Sequence, residues 1–284
     1  MQSAASKSQI VDYYEQSEID YRLVWHLSSQ RAMHYGFWGK TARTLARALH
    51  NENKTLAALA HVTRQDHVLD AGCGVGGSSL YLAREFGCQV TGISLLSQQV
   101  RAAEQEARRR HLEELAHFQQ ADFTAMPFED NTFDVVWAIE SVCHASEKQE
   151  FLWEAFRVLK PGGRLIVADY FLNRKPTKAE KEILRQWLSG WAVESIDSVT
   201  DFTAKAERVG FINSSMQNFT SATAPSSRRM YWYSFVGIPG DAMSRFIGWR
   251  KGATKGNFHA LRYQYQAFHS QLCQYGVFTA TRPR

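Results

Sequence analysis

The stretch Val68 to Ser79, VLDAGCGVGGSS, decides how the rest of the chain is read. A short apolar run stops at Asp70 and gives way to Gly72, Gly74, Gly76 and Gly77 before a helix-forming segment begins. Glycines at a strand-to-helix turn let the backbone take positive φ values and come close to a ligand. The spacing matches G-x-G-x-x-G only loosely, with Gly77 in the sixth place, and no Gly-Lys-Ser or Gly-Lys-Thr follows, which argues against a triphosphate loop. Asp70 before the first glycine and the pair Asp122-Phe123 after a later segment supply acceptors suited to an ammonium group and an exocyclic amine. A cofactor bed at the end of the first strand is the expectation.

Working outward, residues 67 to 172 alternate apolar strands with helices, the pattern of parallel strands joined by right-handed crossovers. The strands are expected at His67–Asp70, Gln89–Ile93, a faint third segment before Asp122, Phe133–Ile139 and Arg164–Tyr170. In such sheets the ligand lies outside the carboxyl ends of the strands. The almost wholly apolar run Phe133–Ile139 reads as a strand buried on both faces, delivering Glu140 and His144 to that rim. Helices are expected at Ser78–Phe86, at 97–110 with Ser97 as cap and Arg108-Arg109-Arg110 facing its dipole, and at Glu147–Leu159, ended by Lys160-Pro161-Gly162-Gly163. Further on come a charged amphipathic helix at 173–190, a helix at Thr200–Val209 capped by Thr200 or Asp201, and strands at Phe211–Thr220 and Tyr275–Thr281. Upstream, an apolar stripe through Ile10, Tyr13, Tyr14, Ile19, Leu23, Trp25 and Leu27 reads as helical packing, interrupted at Met33-His34-Tyr35-Gly36-Phe37-Trp38.

On these residues the sequence resembles the class I S-adenosylmethionine-dependent methyltransferases. The likeness runs from the glycine loop through Ala121-Asp122-Phe123, Met126-Pro127-Phe128 and Phe133-Asp134-Val135-Val136 to Arg157-Val158-Leu159-Lys160-Pro161-Gly162-Gly163, in one order. Within that family, the segment Ala138-Ile139-Glu140-Ser141-Val142-Cys143-His144-Ala145 is similar to the sterol and tocopherol C-methyltransferases. The resemblance spans residues 30 to 220 and implies a Rossmann-like α/β fold: a mostly parallel seven-stranded sheet, an antiparallel last strand and a helical cap. It divides the chain into an N-terminal helical cap (1–60), a cofactor-binding core (61–172), a lid helix (173–198), a core helix and strand (199–222), a helical substrate-cap insert (223–272) and a final core strand (273–284).

The implied cofactor is S-adenosyl-L-methionine. Asp70, Gly72, Cys73 and Gly74 then hold its methionine half, Ser94, Leu95 and Gln99 lie toward the ribose, and Ala121, Asp122 and Phe123 toward the adenine. Ser94 stands where most of the family, like dinucleotide enzymes, has an acid, so Ser94 and Gln99 share the ribose or Ser94 merely caps the next helix. Glu140 serves the cofactor's charge and, with an alkene acceptor, stabilises a carbocation and removes its proton. His144 is the second candidate base, and no metal is required. On the substrate side the candidates are Tyr35, Phe37, Trp38, Trp187, Trp191 and Tyr231, each of which equally suits simple packing. Met230, Trp232, Tyr233 and Phe235 extend the apolar cluster of the insert. Beside them Arg228-Arg229 either meets an acidic substrate group or is solvated.

Composition bounds the function. With 284 residues and 44% hydrophobic content the chain builds a substantial core without staples. Cys73, Cys88, Cys143 and Cys273 form no C-x-x-C pair, so neither a zinc site nor a disulfide framework is expected. No apolar run approaches a membrane span and the N-terminus carries no export signal, so the protein reads as cytoplasmic. A formal charge of +5 is small and spread out, which speaks against nucleic acid as a partner. The reading is therefore C-methylation of an alkene in an isoprenoid, terpenoid or sterol-like small molecule. O- or N-methylation of a small metabolite is the nearest rival, and an RNA methyltransferase or a non-catalytic cofactor-binding protein is more distant. Self-association is left open.

Overall fold

The computed structural model describes residue 32, residues 34–246 and residues 257–284. The expected N-terminal stripe from Ile10 to Leu27, and Met33, lie outside the described residues, as does the part of the cap insert from 247 to 256. Helix α1 (Leu45–Leu59) opens the described chain. It is followed by β1 (His67–Ala71), α2 (Gly77–Phe86), β2 (Gln89–Ser94), α3 (Ser97–Arg109), β3 (Ala116–Gln120) and β4 (Phe133–Ile139). A single 3₁₀ turn (Val142–His144) leads to α4 (Lys148–Val158), β5 (Leu159–Leu172), α5 (Lys178–Gly190), α6 (Val199–Val209), β6 (Ile212–Asn218), α7 (Thr220–Phe246), α8 (Asn257–His269) and β7 (Cys273–Thr281).

The seven strands form one sheet in the order β3-β2-β1-β4-β5-β7-β6. Strands β1 to β5 pair in parallel, and β7 slots antiparallel between β5 and β6. The strand order reverses between β1 and β4, which opens a crevice outside their carboxyl ends. Strand β4 explains why the sheet is stable there. Val135, Val136, Trp137 and Ala138 are all buried, because helices cover both faces and alternation is unnecessary.

Three local expectations are corrected. Helix α6 is capped by Ser198, not by Thr200 or Asp201: the Ser198 hydroxyl accepts the Asp201 N–H at 3.0 Å. Ser97 does not cap α3 either. It is the first helical residue, Leu96 holds the cap position, and the Ser94 hydroxyl accepts the Leu96 N–H at 3.2 Å. The Lys160-Pro161-Gly162-Gly163 turn does not separate α4 from its strand. Strand β5 begins at Leu159 and absorbs the turn as an irregularity between the Phe133–Leu159 and Val135–Arg164 pairs. The basic run that closes α3 has a more specific partner than the helix dipole, because Arg109 and Arg110 both donate to the buried carboxylate of Glu106.

The cap is helical. Helix α8 packs on α5 and α7, and Phe268 meets Trp187 with ring centroids 5.8 Å apart. Helix α5 starts with a reciprocal capping box between Thr177 and Glu180, which fixes where Trp187 enters the core. All four cysteines are buried and unpaired. Among the described residues, no helix is long and apolar enough to cross a membrane.

Candidate active site

The crevice at the strand reversal is a cleft holding about 860 Å³ of empty space, its open mouth included. Its floor is the glycine turn. Gly72 N–H and Cys73 N–H both donate to Ile93 O, at 3.0 and 2.9 Å, which ties the turn to the end of β2. Gly72 has φ +97°, and a Cβ there would sit 2.4 Å from Ser141 Cβ, so only glycine lets the β1 and β4 ends close together. Ser141 completes the junction by donating to Ala71 O at 2.7 Å.

Asp70 lies beneath this turn, 3% exposed, and accepts the Ser79 hydroxyl at 2.5 Å. Burial pushes its carboxyl up to about 6, and the Ser79 bond opposes that rise. The Ser79→Ala variant should lose about 1–3 kcal/mol of stability, since it strands a buried carboxyl oxygen. Urea unfolding at neutral pH measures this directly. Ser94 and Gln99 are joined on the far wall, with Ser94 Oγ donating to Gln99 Oε1 at 2.7 Å. Leu95, Phe123, Glu140 and His144 also line the cleft. Asp122 and Ala121 do not face it. Asp122 Oδ1 accepts from Thr124 N–H and its hydroxyl, both at 2.8 Å, in a turn that sets the adjacent Phe123 ring.

Glu140 is the first residue beyond β4 and has φ +47°, a conformation that L side chains rarely adopt. Its Oε1 accepts Tyr35 N–H at 2.9 Å and the Tyr275 hydroxyl at 3.1 Å, and its Oε2 accepts the Tyr170 hydroxyl. Burial, and then the nearby Glu52 carboxylate, push its carboxyl well above the ordinary range. His144 is half-buried in the cleft lining, where desolvation lowers its imidazole to about 4 and keeps it neutral at pH 7.

The substrate-side aromatics go elsewhere. None of Tyr35, Phe37, Trp38, Trp187, Trp191 and Tyr231 lines the cleft. Phe37 stacks on Phe219 at 4.5 Å, Tyr231 on Tyr265 at 4.5 Å, and Trp38 Nε1 donates to Ser226 Oγ at 2.7 Å. Tyr35, Trp187 and Trp191 gather around Tyr170. Each ring finds its partner in the cap or core, which is how large apolar rings are most cheaply satisfied. Arg228 is exposed, and Arg229 is half-buried over the Tyr233 ring.

One residue that lines the cleft and one packed behind it went unread in the sequence. His34 lines it, and Glu52, fully buried on α1, receives His34 Nδ1 on Oε2. The strap from His34 to Phe37 lies flat on α1 because Gly36 has φ +73° and any Cβ would meet Ala48 backbone carbon at 2.7 Å. The available signal was Glu52 itself. Leu45, Ala48, Leu49, Glu52, Asn53 and Leu56 share the buried face of α1, and a lone acid on such a stripe needs a partner.

A family profile described as a methyltransferase domain matches residues 69–167, the stretch that carries the glycine turn, Asp122 and Glu140. The 27-O-demethylrifamycin SV methyltransferase of Amycolatopsis mediterranei is 30% identical over 228 residues, covering 80% of this chain and 84% of its own. The chain belongs to the class I S-adenosylmethionine-dependent methyltransferases. The 2-methyl-6-phytyl-1,4-hydroquinone methyltransferase of Synechocystis sp. is 33% identical, covering 76% of this chain and 68% of its own. Sterol and tocopherol methyltransferases are also among the relatives, in line with the resemblance of the Glu140 segment. A geranyl diphosphate methyltransferase structure superposes with a TM-score of 0.79 at 18% identity, over 98% of this methyltransferase and all of that chain, and shows the shared fold. The cofactor of this methyltransferase is S-adenosylmethionine, and the cleft fits it: a turn without Cβ atoms at Gly72 and Gly74, an acid at the strand end, and a hydroxyl–amide pair on the opposite wall.

Proposed function

We propose that the enzyme methylates a nucleophilic carbon of an apolar small molecule, an alkene in an isoprenoid or sterol-like skeleton. S-adenosylmethionine supplies the methyl group from a sulfonium whose positive charge is lost on transfer. In this reading Gly72, Cys73 and Gly74 cradle the methionine end, with Asp70 receiving its amino group. Ser94, Leu95 and Gln99 face the ribose, and Phe123 packs beside the adenine, with Ala121 and Asp122 supporting that end.

The observation that carries the reading is Glu140. It is a cleft-wall carboxyl braced by Tyr35 N–H and by the hydroxyls of Tyr170 and Tyr275. A preorganised acidic group beside the reacting carbon stabilises positive charge as it develops there. The Tyr35, Tyr170 and Tyr275 rings lie within 5.7 to 6.2 Å of one another around this carboxyl and keep its surroundings dry. The phytyl-hydroquinone relative supports an apolar, prenylated acceptor. The second reading, oxygen methylation, is favoured by the rifamycin relative, named for a 27-O position.

Calorimetric titration with S-adenosylmethionine and S-adenosylhomocysteine, followed by product mass analysis on prenylated hydroquinones and sterol-like alkenes, tests the reading. Fragmentation that puts the new methyl on carbon supports it; a methyl found only on oxygen or nitrogen overturns it. The role of Asp70 has its own test in pH. Its carboxyl titrates near 6 in the free protein, and only the ionised form pairs with an ammonium group. Affinity for S-adenosylhomocysteine is therefore full above that pH and should fall about tenfold between pH 7.5 and 5. Asp70→Asn should flatten this dependence.

A further inference from the structure

Two buried acids meet at one hydroxyl. Tyr275 Oη lies 2.7 Å from Glu52 Oε1 and 3.1 Å from Glu140 Oε1, yet the acids offer the cleft different things. Both oxygens of Glu140 are engaged by donors, so it holds charge in place and has little free lone-pair capacity for a substrate proton. Glu52 does not line the cleft. It accepts Gly36 N–H at 3.0 Å and faces Nδ1 of His34, and His34 is itself a lining residue of the cleft. His34 is 6% exposed, and its Nε2 is buried without a hydrogen-bond partner. An unpartnered buried ring nitrogen costs free energy, and such groups call for an explanation.

We infer that His34 is the proton acceptor of the methyl transfer and that Glu52 is its positioning residue, an inference that rests on the methyl-transfer reading above. By accepting Nδ1–H, Glu52 fixes the tautomer that leaves Nε2 bare, and it balances the charge once the ring is protonated. With an alkene acceptor, the π pair forms the new C–C bond while the S–CH3 bond breaks and leaves its pair on sulfur. The resulting cation gives a neighbouring C–H proton to Nε2, and the C–H pair closes a new double bond. With a hydroxyl acceptor, the same nitrogen takes the O–H proton as the O–CH3 bond forms. In both cases the imidazolium returns its proton to water. Two tasks first assigned to Glu140 are thereby divided, with charge stabilisation at Glu140 and proton removal at His34. The titratable groups around the imidazole are Glu52 on α1, Asp70 at the end of β1, and Glu140 and His144 beyond β4.

The test has two parts on the full chain. Side-chain ¹⁵N NMR of the histidines, with S-adenosylhomocysteine bound at pH 8, should show the His34 proton on Nδ1, and Glu52→Gln should move that proton toward Nε2. A wild-type His34 protonated on Nε2 overturns the inference whatever the acceptor proves to be. In turnover, with the prenylated hydroquinone or sterol-like alkene that the wild type methylates, His34→Asn should lower kcat by about 10²–10⁴. Its affinity for S-adenosylhomocysteine should stay within about threefold of wild type. Added imidazole should restore part of the rate. A His34→Asn enzyme that keeps wild-type kcat sinks the dyad while leaving methyl transfer intact. Absence of product from the wild type bears on the acceptor class, and there the tautomer measurement decides.

Discussion

Gly72→Val should yield a protein that no longer binds S-adenosylhomocysteine. The left-handed backbone at φ +97° costs a side chain about 1–2 kcal/mol. The new Cβ would also lie 2.4 Å from Ser141 Cβ, and relieving such overpacking costs about 1–3 kcal/mol more. The strands cannot simply part to make room. Ser141 is anchored to Ala71 O, and β1 pairs directly with β4 through Val68–Val135, Leu69–Val136 and Asp70–Trp137. Strain at the turn therefore moves the cleft floor itself. An unfolding midpoint lowered by about 4–20 °C is expected. No binding heat should be detectable. Wild-type affinity in this variant would mean that the turn is not the cofactor bed.

Glu140→Gln should leave S-adenosylhomocysteine binding nearly unchanged and slow turnover by about 10²–10³. The amide keeps the shape and one acceptor oxygen, which Tyr35 N–H can retain, while the Tyr170 hydroxyl rotates to accept from the new NH2. What disappears is the ionisable group. Burial and Glu52 push the Glu140 carboxyl well above its usual range, and the amide that replaces it carries no negative charge to set against a developing cation. Steady-state kinetics beside calorimetry separates the effects. Equal losses of affinity and rate would remove Glu140 from the chemistry and make it a binding residue.

The β1 turn, the buried β4 strand and the order of motifs were legible in the chain because each obeys a local rule. Glycines mark the bend, and an unbroken apolar run marks a strand covered on both sides. The errors arose where a long-range partner decides. Nothing near Phe37 or Tyr231 in sequence announces Phe219 or Tyr265, so substrate lining and simple packing stayed equally open for those rings. Ser97 is of a residue type that caps helices, but the helix begins at Ser97 itself, one residue earlier than a Ser97 cap would start it, and Ser94 supplies the hydroxyl. Glu52 illustrates the opposite failure. Its place on the buried stripe of α1 was visible, but its importance depends on His34, 18 positions earlier, and on Tyr275, 223 positions later.

That last distance has a bearing on how the enzyme is made. Tyr275 sits on β7, which is threaded between β5 and β6 and follows both of them in the chain. Until it docks, Glu52 and Glu140 lack the hydroxyl they share, β5 has an open edge, and β6 has no neighbour in the sheet. The cofactor bed of β1, β2 and β4 consists of earlier, more local pairings that can form during synthesis. A nascent chain thus acquires its ligand cradle before its proton network, and competence arrives in a single closing event when β7 docks.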